Sequence, residues 1–297
     1  MLNVIRRKFD RLLSEINYRV ALRQHAKNLP ALTAQDRLVV EACRQEGAFA
    51  TSLERLGLPL TTPMLEEAAK LLVEMQADLA SRTEMSTWGT CKNPAYPQIF
   101  TVTDLPAFSQ WAQNQRLLNI IENYIGLPVA FQGVHLRRDF ANERPVTTEF
   151  WHRDLEDRRV IKLFVYLSDV ATETGPYEYI PRSKTPPAIV RRIKASFTRR
   201  LETHPYDMGL TDDEMAAIVP RSDWRTCIGA AGTVLFSDPV AVFHHGKSRT
   251  QDRSALFFVY TAQEPLRPQD CRQYSDRTYA RPDQLQPQPE DSVPALP

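Results

Sequence analysis

The pattern of apolar residues changes immediately after Gly126, and this change limits the fold more than any other feature of the sequence. Before Gly126 the apolar residues recur at three- and four-residue intervals, which indicates amphipathic helices. After it, short runs rich in Val, Ile, Phe, Tyr and Thr alternate with turn residues, which indicates strands. The predicted strands cover residues 128–138, 146–152, 160–168, 176–181, 233–237, 240–245 and 254–262. Several short strands of this kind predict a sandwich or a barrel.

Helices are predicted on either side of the first strands. They are expected over residues 2–24, 33–47, 62–80 and 104–126, with a helical insert over about 186–219. Thr33 and Thr62 are predicted to be N-cap residues, because a threonine hydroxyl can accept a hydrogen bond from a free amide of the first turn. The five prolines of residues 281–297 predict a disordered tail. We therefore expect a single α+β domain over 1–280, with a helical part over about 1–126 and a β-barrel core over about 127–263.

The first predicted helix is basic as well as amphipathic. Residues 1–28 contain seven Lys or Arg and two Asp or Glu. Such a helix can lie on a membrane or direct import into an organelle, but packing against the body of the protein is the commoner arrangement. We expect packing against the body.

The composition excludes several classes of protein. With 37 Lys+Arg and 36 Asp+Glu among 297 residues, the net charge of +1 excludes overall electrostatic attraction to nucleic acid or to a membrane and leaves only local patches open. No apolar run reaches the roughly 18–20 residues of a membrane helix, and the first residues lack the apolar region of a secretory signal. The four cysteines, Cys43, Cys91, Cys227 and Cys271, are far apart and form no C-x-x-C pair, so we expect reduced thiols in a cytoplasmic protein.

Two histidine motifs at the ends of predicted strands suggest a metal site. His152 and Asp154 are two residues apart, so in an extended segment they face the same side. His244 and His245 end a second predicted strand about ninety residues later. Two histidines and one carboxylate are the facial triad of non-haem Fe(II) oxygenases, which leaves coordination positions open for an oxo-acid and O2. The competing interpretation is a set of buried polar residues that only bind one another.

Arg253 lies at the start of the last predicted strand, shortly after the histidine pair. An antiparallel return would bring it beside the strand that carries the histidines. Its planar guanidinium can bind a carboxylate through two hydrogen bonds, which a lysine cannot do. The alternative is an arginine at the rim that forms only a surface salt bridge.

These motifs resemble the phytanoyl-CoA dioxygenase family, and the resemblance covers roughly residues 128–263. It rests on four features in order, namely H-x-D at residues 152–154, a strand that ends at Leu167-Ser168-Asp169, the Gly175-Pro176 turn before residues 180–183, and His-x-Gly followed by Arg. The resemblance implies a double-stranded β-helix, which is a jelly-roll or cupin-like barrel, with the N-terminal helices packed outside it. It also implies dependence on Fe(II), 2-oxoglutarate and O2.

Carried over residue by residue, the resemblance makes His152, Asp154 and a distal histidine the iron ligands, and it makes Arg253 the partner of the far carboxylate of 2-oxoglutarate. The family's commoner His-x-Gly pattern selects His244 as the distal ligand, whereas a His-Gly variant selects His245. Neighbouring strand residues face opposite sides, so we favour His244. The chain departs from the family where Pro-Gly-Ser-His is replaced by residues 181–184, Pro-Arg-Ser-Lys.

The resemblance also suggests the reaction. Related halogenases lack the carboxylate ligand, so the presence of Asp154 favours hydroxylation of an unactivated C–H bond, with release of succinate and CO2. Desaturation, epoxidation and ring formation would use the same ligands and stay open. A non-catalytic β-barrel binding protein is the competitor from another class, and we favour the enzyme because all four residue types of the site are present.

The sequence says less about the substrate, which we expect to be a small organic molecule. Candidate pocket residues are His135, Arg137, Trp151 and Tyr166, and Lys162 is a candidate second contact for the cofactor's carboxylate. Residues 182–200 contain seven basic residues and no acidic one. They form a solvated helix face or a docking surface for the acidic group of a CoA- or carrier-protein-tethered substrate.

Overall fold

The structure, a computed structural model, describes residues 2–81, 96–142 and 144–285. The helices are α1 (Leu2–His25), α2 (Ala34–Gln45), α3 (Leu53–Leu56), α4 (Thr61–Ser81), α5 (Pro106–Ala112), α6 (Gln115–Ile125), α7 (Pro187–Thr203), α8 (Asp212–Ala216), α9 (Pro268–Cys271) and α10 (Pro282–Leu285). The strands are β1 (Ala48–Ser52), β2 (Gln98–Thr101), β3 (Val129–Asp139), β4 (Ile161–Tyr166), β5 (Tyr177–Ile180), β6 (Arg225–Cys227), β7 (Thr233–Ser237), β8 (Phe243–Gly246) and β9 (Arg253–Ala262).

The strands form two antiparallel sheets. The larger sheet has the order β1-β7-β4-β9-β3-β2, and the smaller has the order β6-β5-β8. Apolar side chains of the two sheets pack against each other, as Phe164 and Tyr177 do with ring centroids 5.1 Å apart. The mixed helical and antiparallel-sheet architecture agrees with the α+β prediction.

Alternation along the central strands gives the larger sheet two different faces. On β4, Ile161, Leu163 and Val165 are buried in the main hydrophobic core. Their neighbours Lys162 and Phe164 point to the opposite side, which lines a cavity. The same alternation on β3 and β9 places the candidate site residues on the cavity face.

The N-terminal helices cover the outer face of the larger sheet, as predicted. Helices α2, α4, α5 and α6 contribute buried residues to the same core as β3, β4, β7 and β9. Helix α6 is held against α2 by Arg116, whose guanidinium binds both carboxylate oxygens of the buried Asp36 at 2.8–3.2 Å. Thr33 caps α2 by accepting a hydrogen bond from the amide of Asp36, as predicted.

Four predicted elements were wrong in detail. The strand over 240–245 begins only at Phe243, because a turn closed by the amide of Ala241 on the carbonyl of Asp238 precedes it. The helix over 104–126 is two helices, because Asn114 leaves the helical conformation and caps α6 through its side chain. Helix α4 begins at Thr61, so Thr62 is inside the helix and is not its cap. The strand over 146–152 is instead a 3-10 turn at residues 147–149 followed by isolated bridges at Trp151 and His152.

The end of the described chain is more ordered than predicted. Arg281 is buried and binds the carboxylates of Asp104 and Asp283, which fixes the start of α10. The remainder of the predicted tail, residues 286–297, lies outside the described residues, as does Cys91. Cys43, Cys227 and Cys271 are free thiols. Among the described helices, none has the length and apolar character needed to cross a bilayer.

Candidate metal centre

Backbone hydrogen bonds bring the two histidine motifs together. The amide of His152 donates to the carbonyl of His244, and the amide of His244 donates back, both at 3.0 Å. The amide of Asp154 donates to the carbonyl of Pro239, also at 3.0 Å. The Asp154 Oδ1 atom then lies 3.4 Å from His152 Nε2 and 3.7 Å from His244 Nε2. Two ligands at neighbouring positions of an octahedral ion are about 3 Å apart, so these three atoms have the spacing of a metal site.

The hydrogen bonds of the two imidazoles orient their lone pairs toward Asp154. The Nδ1 atom of His152 donates to the carbonyl of Phe150 at 2.7 Å, and that of His244 faces the carbonyl of Val242 at 3.4 Å. Because a carbonyl only accepts, Nδ1 carries a proton in both rings, and in the neutral form of each ring Nε2 presents a lone pair. Burial lowers the pKa of His244 to about 3, so this imidazole is neutral. Two lone pairs and a carboxylate oxygen that face one another are complementary to a divalent cation.

Lys162 occupies the second oxygen of Asp154. Its ammonium donates to Asp154 Oδ2 at 2.6 Å, to Glu156 Oε1 at 2.8 Å and to the hydroxyl of Tyr274 at 3.0 Å. Burial alone would raise the pKa of Asp154, but the ammonium of Lys162 holds it well below its usual range. Asp154 is therefore ionised, and only Oδ1 is free to bind a metal. The three donors of Lys162 are all used, so contact with a cofactor carboxylate would require one of these partners to be displaced.

Arg253 lies on the cavity wall beside a group of buried charges. Its Nε donates to Asp139 Oδ2 at 2.9 Å, and its Nη1 donates to the carbonyl of Gly175. Its Nη2 points toward Gly246, where an added Cβ would lie 3.2 Å from it. Asp139 also binds Arg137 at 2.6 Å, and these arginines hold its pKa well below the usual range in spite of its burial.

A surplus of positive charge remains at this position. Arg249 is the third arginine near Asp139, at 3.8 Å, and it also binds Glu149 at 2.7 Å. Three arginines therefore face two carboxylates. The group carries one positive charge in excess, which a ligand with one carboxylate would neutralise.

His245 points away from the other three residues, as strand alternation requires. Its Nδ1 donates to the carbonyl of Glu149 at 2.9 Å, and its Nε2 lies 3.1 Å from Glu178 and 3.7 Å from Asp212. Its ring stacks on Trp151 with centroids 4.1 Å apart. His245, Glu178 and Asp212 have a spacing that could hold a metal ion, but they form a second cluster, separate from His152 and Asp154.

A cavity of about 760 Å³ opens beside His152, Asp154 and His244. Its walls are largely aromatic and aliphatic, with Tyr166 and Phe257 among them. The four predicted pocket residues, His135, Arg137, Trp151 and Tyr166, all line it. One polar atom of each is already bound, however, to the carbonyl of Gln273, to Asp139, to Asp212 and to the carbonyl of Cys227, respectively.

Several residues near this centre were not predicted from the sequence. Glu156 and Tyr274 bind Lys162, and Asp139 organises the arginines. Glu156 could have been found, because it follows Asp154 at the two-residue spacing that placed His152 and Asp154 together. Tyr274 lies beyond the last predicted strand, and no local pattern distinguishes it.

The seven basic residues of the segment 182–200 fall into three groups. Arg182 and Arg192 are exposed and donate to the backbone carbonyls of Arg44 and Ala217, respectively. Lys184 binds Asp223 at 2.8 Å, and Arg200 binds Asp207 and Glu214, so these residues hold the helical insert together. Arg191, Lys194 and Arg199 are exposed, and no carboxylate of the described residues pairs with them. Lys194 also lines the cavity.

Sequence comparison finds no relative. No family model matches the chain. No curated protein matches it either.

Comparison with solved structures shows a shared fold at low identity. HygX from Streptomyces hygroscopicus, solved with nickel and 2-oxoglutarate, superposes with a TM-score of 0.51 at 15% identity and covers 79% of this chain and 88% of its own. EctD from S. alaskensis, solved with 2-oxoglutarate and 5-hydroxyectoine, has a TM-score of 0.50 at 17% identity and covers 84% of each chain. AviO1 from Streptomyces viridochromogenes Tue57 has a TM-score of 0.49 at 18% identity and covers 79% of this chain and 98% of its own. The similarity to HygX and EctD is one of fold.

Proposed function

We propose that this protein is an Fe(II)- and 2-oxoglutarate-dependent dioxygenase with a double-stranded β-helix core, related to the phytanoyl-CoA dioxygenases. The observation that carries the proposal is the set of two imidazole Nε2 atoms and one ionised carboxylate oxygen that face one another beside a cavity. Two histidines and one carboxylate are the ligand set of non-haem Fe(II) oxygenases. The fold shared with HygX and EctD, both solved with 2-oxoglutarate, supports it.

In this proposal His152, Asp154 and His244 hold the iron, and Arg253 binds the distal carboxylate of 2-oxoglutarate. When bound, iron and 2-oxoglutarate supply the oxidising chemistry, with O2 as co-substrate and succinate and CO2 as products. The carbonyls of Phe150 and Val242 fix the imidazole tautomers. Lys162 keeps Asp154 ionised and restricts it to one oxygen toward the metal.

The proposed outcome is hydroxylation of an unactivated C–H bond. Asp154 completes three protein ligands, so no position is left for a halide. Desaturation, epoxidation or ring formation would use the same residues, because the outcome depends on how the substrate is positioned. We propose hydroxylation as the first reaction to test.

The proposed substrate is a small organic molecule with an apolar body, in keeping with the aromatic and aliphatic walls of the cavity. Attachment of this substrate to CoA or to a carrier protein stays part of the proposal. Of the seven basic residues at 182–200, the exposed Arg191, Lys194 and Arg199 are the ones free to bind an acidic tether. Reversal of these three charges should reduce turnover of a tethered substrate in a salt-dependent manner. Unchanged kinetics would contradict the proposal that these residues bind an acidic tether.

The first experiment is an anaerobic titration of Fe(II) and 2-oxoglutarate into the metal-free protein, followed by visible spectroscopy of the chelate. We expect an absorption band that requires both additions. Asp154→Ala should abolish metal binding, whereas Asp252→Ala, which removes an exposed carboxylate, should leave it unchanged. Arg253→Lys should weaken the affinity for 2-oxoglutarate without loss of the metal, because lysine lacks the planar fork.

The same titration tests the competing function, a non-catalytic β-barrel binding protein. Metal binding without any effect of 2-oxoglutarate would contradict the proposed cofactor. A protein that binds no metal would contradict the enzyme altogether. If the band forms, succinate release in the presence of candidate substrates identifies the reaction.

A further inference from the structure

Helix α1 is attached to the rest of the protein through its polar face. Arg158 donates to Glu15 at 2.8 Å and to the hydroxyl of Ser14, and its guanidinium lies over the ring of Tyr18, 4.6 Å from the ring centroid. Near the end of the helix, His25 Nε2 lies 2.7 Å from the carboxylate of Glu122. The helix packs on the body, as expected, but through the side opposite to most of its apolar residues.

The apolar side of α1 faces solvent. The exposed fractions of its side chains are 58% for Phe9, 58% for Leu12, 42% for Leu13, 48% for Ile16 and 43% for Val20. At 100° per residue these five positions fall within an arc of about 100°. The attached positions, 14, 15, 18 and 25, are centred about 180° away. We refer to the five side chains as the apolar stripe; within the described part of the chain they are among the exposed large hydrophobic residues.

Positive charge flanks the apolar stripe. Arg6, Arg19, Arg23 and Lys27 are exposed. Asp10 is exposed as well, whereas the other carboxylate of this segment, Glu15, is paired with Arg158. The outward side of α1 therefore combines an apolar strip with a net positive margin.

We propose that the apolar stripe and its basic margin form a surface that binds an anionic lipid bilayer, with α1 lying in the plane of the interface. Apolar side chains of such a helix enter the boundary between headgroups and acyl chains, while arginine and lysine remain among anionic headgroups. A second copy of this chain fits the surface less well, because pairing two stripes would bring two positive margins together with only Asp10 of each copy to offset them. This inference goes beyond the proposed function and does not depend on it.

The experiment is flotation of the full chain with lipid vesicles. One set contains phosphatidylcholine with phosphatidylglycerol, and the other contains phosphatidylcholine alone. We expect binding to the anionic vesicles that decreases with added salt, and little binding to the neutral ones. Arg19→Glu with Arg23→Glu should lower the partition coefficient by at least about fivefold for each charge removed.

Matched variants distinguish the apolar stripe from other exposed apolar residues. Leu12→Ser with Ile16→Ser should abolish vesicle binding. The control is Leu38→Ser with Val73→Ser, since these side chains are 58% and 69% exposed on other helices, and it should bind as the unaltered protein does. Circular dichroism and thermal unfolding verify that each variant is folded.

Three results would overturn the proposal. They are no binding of the folded protein to anionic vesicles, equal binding to neutral vesicles, or binding that survives the stripe variant. A second copy of this chain is the other candidate occupant of the apolar stripe, and light scattering tests it by measuring the oligomeric state. A dimer that dissociates in Leu12→Ser with Ile16→Ser would assign the stripe to a second copy.

Discussion

Replacement of Lys162 by methionine tests whether the buried charge network beside the metal centre is structurally important. Lys162 is bound to two carboxylates, those of Asp154 and Glu156, at 2.6 and 2.8 Å. The exposed fractions of the three side chains are 12%, 15% and 7%, so solvent screens them weakly. Methionine retains much of the volume of lysine but removes the charge and all three hydrogen bonds. Two buried carboxylates are then left facing each other without a cation.

The expected cost follows from this geometry. One ion pair at about 2.7 Å corresponds to a gross attraction of about 6 kcal/mol at an effective dielectric constant of about 20. Desolvation of the charges offsets much of this attraction, but removal of one partner leaves the desolvation of the others uncompensated. We therefore expect Lys162→Met to lower the free energy of unfolding by about 3–5 kcal/mol at neutral pH. Addition of Glu156→Gln should recover at least about 1 kcal/mol, because it removes one of the two unpaired charges.

The assay is urea unfolding in the presence of EDTA, so that no metal contributes. The matched control is Lys70→Met, which breaks an exposed pair with Glu67 at 3.3 Å and should cost less than about 0.5 kcal/mol. A loss below about 1 kcal/mol in Lys162→Met would refute the reasoning, as would a double variant less stable than the single one.

Three other predictions concern pH and the cofactor pocket. Burial lowers the pKa of His135 to about 4, so its neutral form is favoured in the folded state. The free energy of unfolding should therefore fall by about 3 kcal/mol as the pH is lowered from 6.5 to 4. Urea titrations should find a smaller loss in His135→Gln. Burial raises the pKa of Asp238 to about 6, so the stability that this carboxyl contributes is lost as the pH rises from about 4 to 6. Asp238→Asn should therefore be more stable than the unaltered protein at pH 7, by about 1–2 kcal/mol. A lower melting temperature of the variant would contradict this. Gly246→Ala would place a Cβ 3.2 Å from Arg253 Nη2. Calorimetry should therefore find the affinity for 2-oxoglutarate reduced about fivefold, with the stability of the protein little changed. An unaltered affinity would contradict the proposed contact between Arg253 and 2-oxoglutarate.

The central strands could be predicted from the sequence, whereas three of the four edge strands could not; the fourth, β8, was predicted in part. Strands β3, β4, β7 and β9 show the alternation or the apolar run that the predictions used, and they lie within a residue or two of the predicted positions. The missed strands β1, β2 and β6 are all at the edges of their sheets. An edge strand is short and is held by one neighbour, so its own sequence need not carry a strand pattern.

The candidate site was predictable to the extent that it depends on local geometry. The two-residue spacing placed His152 beside Asp154, and strand alternation separated His244 from His245. The network around Lys162 was not predictable, because its partner Tyr274 comes from a distant segment that packs there only after the sheets have formed. Interactions between distant segments leave no periodic signal in a single sequence.

The reciprocal backbone bridge between His152 and His244 also determines when the candidate metal centre can form during folding. The two residues are about ninety positions apart, so the bridge is a contact of high sequence separation, and closing such a loop is entropically costly before the intervening strands have paired. A nascent or partly folded chain therefore holds at most His152 and Asp154 together, and its hold on a metal should be weak. Tight metal uptake would then mark completed folding, and a chain truncated before β8 should acquire little metal even if its N-terminal helices form.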